Sequence, residues 1–160
     1  MGIKANALEL LEELGVNTTE LPQYQVLCLP ENIENEVETS TLVDSEGAIA
    51  LSKLLKAEKI ACANSYDLGL HTRVRERRSS EYYLGCIWIL EHAALPIIAG
   101  VLARLIGERV LERLSSRGKS QVRADIKIID GHINADIKFN GDAETFLNVF
   151  KGLSDDQNTL

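Results

Sequence analysis

The stretch Val122-Arg123-Ala124-Asp125-Ile126-Lys127-Ile128-Ile129-Asp130-Gly131-His132-Ile133-Asn134-Ala135-Asp136-Ile137-Lys138-Phe139 alternates apolar and polar residues on both sides of Asp130-Gly131. Successive side chains of a strand point to opposite faces, so this period of two predicts two strands with one face against a core. Asp-Gly suits a type I′ turn, which predicts a hairpin with Ile128–Ile133, Ile126–Ala135, Ala124–Ile137 and Val122–Phe139 paired on the apolar face. On the polar face that register sets Asp125 against Asp136 and Arg123 against Lys138, two like-charge contacts. The diagonals Arg123–Asp136, Asp125–Lys138 and Lys127–Asp136 offset them. Asn140-Gly141-Asp142 then turns the chain, with Asp142 as N-cap. Phe146, Val149, Phe150 and Leu153 follow at helical spacing, ready to cover the hairpin. A lone hairpin is marginal, so this ββα unit, about residues 120–153, requires further strands, a long helix or a second chain.

Upstream the periodicity points to a helical part, about residues 1–116. Ala7 to Leu14 reads as an amphipathic helix stopped by Gly15, and Asp44 or Ser45 caps a helix bearing Ala48, Leu51, Leu54 and Leu55. Gln25 to Leu29 and Lys59 to Ala63 are short candidate strands. Ser80 to Ser115 reads as one long helix broken near Pro96, because proline lacks a backbone donor and clashes with the preceding turn. Within it, Tyr82 to Ala103 is long enough for a membrane span. Glu91, His92 and Pro96 at its middle argue for a buried helix instead. Ala99, Ala103 and Gly107 recur every four residues, a spacing that lets another backbone approach, within the chain or from a second one. Ser115 to Ser120 reads as a hinge and Ser154 to Leu160 as a frayed tail. The expected fold is one α+β domain: a helical N-terminal and central part with one long Pro-broken helix, then the C-terminal β-hairpin plus helix.

The 160 residues are 45% hydrophobic and 26% charged, values that exclude a disordered or collagen-like chain. The net charge of −7 is unevenly spread: residues 1–60 carry −7, residues 61–120 carry +3 and residues 121–160 carry −3. The positive centre comes largely from His71-Thr72-Arg73-Val74-Arg75-Glu76-Arg77-Arg78. Its guanidiniums suit bidentate binding of phosphate or carboxylate. The overall negative charge argues against nonspecific binding of duplex DNA. Met1 to Glu13 shows neither a secretory h-region nor the residue pattern of N-myristoylation. Cys28, Cys62 and Cys86 are an odd number at wide spacing among apolar neighbours, as expected of reduced core thiols in a cytoplasmic protein.

Several chemistries lack their residues. Arg117-Gly118-Lys119-Ser120 has only the tail of a Walker A loop and precedes a strand, and no dinucleotide fingerprint occurs. Cys86, Glu91 and His92 do not form a zinc ligand set, so no metal and no cofactor is expected. Cys62 and His71 are the one nearby thiol and imidazole, which leaves a Cys/His hydrolase as a third-ranked reading. Ahead of it stands a sensor that binds a nucleotide, another phosphate-bearing ligand or RNA through Arg73, Arg75, Arg77 and Arg78, with Tyr82 or Tyr83 able to stack on a base, although tyrosines at the start of a buried helix are more often core. The leading expectation is a small interaction module, a regulatory or accessory subunit without catalysis. Its partner would be another protein or a second copy of itself, met through Ala99, Ala103 and Gly107 or through charge.

Overall fold

A computed structural model describes residues 9–34, 42–75, 81–113, 121–129 and 134–158. In chain order these form helix α1 (residues 9–13), a 3₁₀ helix (Thr18–Gln23), β1 (Val26–Leu29), β2 (Val43–Ser45), α2 (Glu46–Ala57), β3 (Cys62–Ala63), β4 (Arg73–Arg75) and β5 (Glu81–Ile89). A second 3₁₀ turn (His92–Ala94), α3 (Leu95–Arg113), β6 (Gln121–Ile129), β7 (Asn134–Asp142) and α4 (Ala143–Asn158) complete the chain. The fold is α+β, built on a five-stranded sheet in the order β3-β1-β5-β6-β7 with a separate β2-β4 pair.

The C-terminal ββα unit is present, and its hairpin is antiparallel, but the register differs from the expected one by two residues. Ile128 faces Ala135, Ile126 faces Ile137, Ala124 faces Phe139 and Ile129 faces Asn134. Four residues, 130–133, therefore join the strands in place of a two-residue turn, and the turn type at Asp130-Gly131 lies outside the described residues. An even shift keeps every side chain on its face, so the apolar face survives unchanged. On the polar face the shift sets Asp125 opposite Lys138 and Lys127 opposite Asp136. Both like-charge contacts of the shorter turn disappear, and opposite charges meet directly, which is the physical reason for the observed register. Asp142 Oδ2 accepts from Thr145 N at 3.2 Å as the helix cap, and α4 runs on through the segment expected to fray, to Asn158.

The expected helical half is corrected. It contributes β1 to β5, and the single broken helix from Ser80 to Ser115 is a strand followed by a helix. Glu81–Ile89 is the central strand, antiparallel to β1 and parallel to β6. Tyr82 to Ile89 is buried throughout, because this strand is covered on both faces. A run apolar on both faces shows no period of two, so periodicity cannot separate it from a buried helix. Pro96 is the second residue of α3, where the first turn has no use for its missing N–H, so it starts the helix and does not break it. The strand carries a bulge between Tyr83 and Cys86, with Gly85 at φ +75°. The extra residue inverts the alternation: Tyr82 and Leu84 face the helices before it, Ile87 and Ile89 after it. Tyr83, Cys86 and Trp88 thereby share the opposite face. Gly85 is required twice over, since a Cβ there would also lie 3.0 Å from Leu29 O and from Ser45 Oγ.

The sheet divides two cores. On one face α2, α3 and α4 bury Leu51, Leu55, Ile98, Leu102, Phe146 and Phe150 against β1, β5 and β6. On the other, the N-terminal segment packs Leu11, Leu14, Leu21, Ile33 and Leu42 onto Leu27, Leu29, Ala63 and Trp88. Among the described residues that cover lies mainly over β3, β1 and β5, and Glu34 extends it to Lys127 of β6 and Lys138 of β7. Gly15 at φ +91° ends α1, as the sequence indicates, and Ser45 caps α2 through a 3.4 Å bond from Ala48 N. Among the described residues no helix is long and apolar enough to cross a membrane.

Candidate functional site

The basic run begins on β4, which lies parallel to β2 with Arg73 opposite Val43 and Arg75 opposite Ser45. Its support is a buried carboxylate. Asp44 accepts from Ser65 Oγ and from Thr72 Oγ1, each at 2.6 Å, so the strand start is tied to the loop after β3. That loop is closed by reciprocal bonds, Asn64 N to Asp67 Oδ2 at 3.0 Å and Asp67 N to Asn64 Oδ1 at 2.9 Å. Lys56 Nζ donates to the same Asp67 at 2.6 Å, a bond that raises the lysine's pKa. Arg73 is exposed, as is Val74 at 56%. Arg73 and Arg75 thus occupy alternate positions of one strand, whereas Arg77 and Arg78 lie outside the described residues.

The small-residue row of α3 is divided. Ala99 is half-buried and packs against the helix-side core, Ala103 is exposed, and Gly107 is half-buried with open space where a Cβ would stand. The exposed side of the helix is displaced from the expected row and includes Pro96, Ile97 and Gly100. Ile97 is 46% exposed. It borders a shallow cleft of about 230 Å³ with Gly100, Val101, Arg104 and Glu58 at the end of α2. Arg104 Nη1 meets Glu58 Oε1 at 3.3 Å across its rim, and both side chains are about half exposed. A surface ion pair of this kind contributes little to stability and remains free to exchange partners.

The cysteine and histidine expected of a hydrolase are not brought together. Cys62 is buried in the helix-side core with its sulfur 3.6 Å from that of Cys28, and His71 is exposed. The hydrogen bond with Cys62, then burial, raises the Cys28 thiol well above its ordinary value, so Cys28 stays protonated at neutral pH and serves as packing. Among the described residues no three His, Cys, Asp or Glu side chains gather as a metal site.

One cluster was not anticipated from the sequence. Tyr83 Oη donates to Asp125 Oδ2 at 2.9 Å, and Cys86 Sγ lies 3.8 Å from both Asp125 Oδ2 and Glu31 O. Arg123 stacks over the Tyr83 ring at 4.6 Å, and Lys127 lies 5.3 Å from the Trp88 ring while reaching Glu34 at 2.7 Å. Burial foremost, then the Asp125 hydrogen bond, raises Tyr83; burial foremost, then the Asp125 charge, raises Cys86. Both stay protonated at neutral pH, so the cluster acts as a polar clamp that holds residues 31–34 over the sheet. The clue in the sequence was the polar face Arg123, Asp125 and Lys127, but the bulge that aims Tyr83 and Cys86 at it has no signature beyond Gly85. Comparison of the chain with protein-family models, with curated proteins and with solved structures finds no match to any of them.

Proposed function

We propose that this chain is a protein-interaction module, acting as a regulatory or accessory subunit, with the exposed face of α3 as its docking surface. The observation that carries the reading is the exposed Ile97 beside a cleft of about 230 Å³ with a charged rim. Gly100 keeps the helix backbone accessible there, and Pro96 adds apolar surface. The partner that fits is a protein segment placing one apolar side chain in the cleft and a carboxylate within reach of Arg104. Three free, buried thiols support a reducing compartment such as the cytoplasm.

The test is purification of the tagged full chain from its native cells, with stoichiometry measured by mass spectrometry. A near-equimolar partner that disappears with Ile97→Asp and persists with Arg73→Glu supports the reading. Persistence of every partner with Ile97→Asp overturns it. A second reading, a phosphate-bearing ligand or RNA on β4, is favoured by the exposed Arg73 two positions from Arg75 on an anchored strand. Its mark is a partner or ultraviolet-absorbing ligand lost with Arg73→Glu and kept with Ile97→Asp.

A further inference from the structure

A nine-residue strand, β7, ends the sheet, and among the described residues no strand pairs with its outer side. Such an edge presents a row of N–H and C=O groups that can accept another strand. Its two faces restrict what that strand can be. Ala135, Ile137 and Phe139 are partly buried against the helix-side core, whereas Asp136, Lys138 and Asn140 are exposed on the other face.

We propose that β7 pairs with β7 of a second copy of this chain, antiparallel about a two-fold axis through Ile137, to form one continuous ten-stranded sheet. The register follows from the sequence of the strand. Centred on Ile137, each Asp136 faces the other chain's Lys138, each Ala135 faces Phe139, and each Asn134 faces Asn140. Both charge pairs are attractive, and each large ring meets a small side chain. Neighbouring registers fail on the same residues. Centring on Asp136 or on Lys138 opposes two like charges, while a centre between residues sets Ile137 beside Lys138 and puts the two helix layers on opposite faces. The side chains are available, since Asp136 and Lys138 are 44% and 68% exposed, and their intrachain ion pairs are long, 3.9 Å to Lys127 and to Glu34. Helix α4 lies over this strand, and its Val149 is a large hydrophobic side chain 40% exposed. An isologous pairing of this kind closes at two chains and leaves no further open edge at β7. It uses residues separate from the α3 face, so either surface can fail alone.

Sedimentation equilibrium of the full chain across concentration tests the proposal. The expected result is a reversible shift from 17.7 kDa to twice that mass. Asp136→Lys alone and Lys138→Asp alone each raise the dissociation constant by about tenfold or more. Mixing those two variants restores association as a heterodimer, because each chain then meets opposite charges. The mixture also controls for folding: each variant keeps the same intrachain surroundings, and only its partner changes. Amide exchange of residues 134–140 slows as concentration rises. A chain that stays monomeric at all concentrations overturns the proposal, as does a dimer indifferent to both variants or a mixture that fails to associate.

Discussion

The two halves of the central sheet obey different rules. Strands β1 and β5 are buried on both faces, with the three long helices on one side and the N-terminal segment on the other. Strands β6 and β7 are buried on one face and carry Arg123, Asp125, Lys127, Asp136 and Lys138 on the other, partly exposed. In the first half shape and volume decide the structure. In the second half charge decides the register, and the two halves meet where Arg123 and Lys127 lie against the rings of Tyr83 and Trp88. One sheet thus holds a segment that specifies itself through packing and a segment that specifies itself through pairing.

The sharpest break between the halves should come from truncation. Trp88→Ala empties a site that is 2% exposed and should cost about 3–5 kcal/mol, whereas Lys138→Ala should cost within about 0.5 kcal/mol. Urea denaturation of both variants measures the contrast; equal losses would erase the distinction. Next in size is the bulge. Gly85→Ala combines a positive φ with contacts at 3.0 Å and should cost about 2–4 kcal/mol. Gly15→Ala, at φ +91° in open space, should cost only about 1 kcal/mol. If thermal melts rank the two glycines the other way, the bulge is not what fixes β5.

The smallest effect concerns pH. Cys28, Cys86 and Tyr83 all have raised pKa values in the folded chain, from ordinary values of 9.0 for the thiols and 10.0 for the phenol. Below about pH 8 both states hold these protons and the groups add no pH dependence. Above about pH 9 the unfolded chain releases them while the folded chain retains them, so stability falls as pH rises. Denaturant midpoints between about pH 7 and about pH 10 should show this decline, and Cys86→Ala should flatten it. A profile equally steep without Cys86 would remove the thiol from the account.

Legibility in the sequence followed the same division. The ββα unit was readable because one solvated face leaves alternation in the residues, and Asp142, Phe146 and Phe150 mark the helix that covers it. Its register differs from the sequence expectation because Asp130-Gly131 suggests a two-residue turn, although the like charges such a turn opposes favour the longer connection. Residues 82–89 read as helix from the sequence because burial on both faces leaves no period to find. Of the expected site residues, Arg73 and Ala103 are exposed. Ala99 is half-buried against the helix-side core, the packing within the chain that its spacing also allows. Ile97 carries no mark of exposure in the sequence, because an isoleucine in an apolar run looks like core.

Composition and pattern by themselves determined an α+β chain with organised charge, a C-terminal hairpin and its covering helix. Those features depend on contacts between residues close in sequence, where periodicity and capping act directly. Only the tertiary structure decided that residues 81–89 form the central strand, that Pro96 begins a helix, and that Tyr83 and Cys86 face Asp125. Each of these depends on what packs against a segment from far along the chain, and a buried apolar run accepts strand or helix until that neighbour is in place.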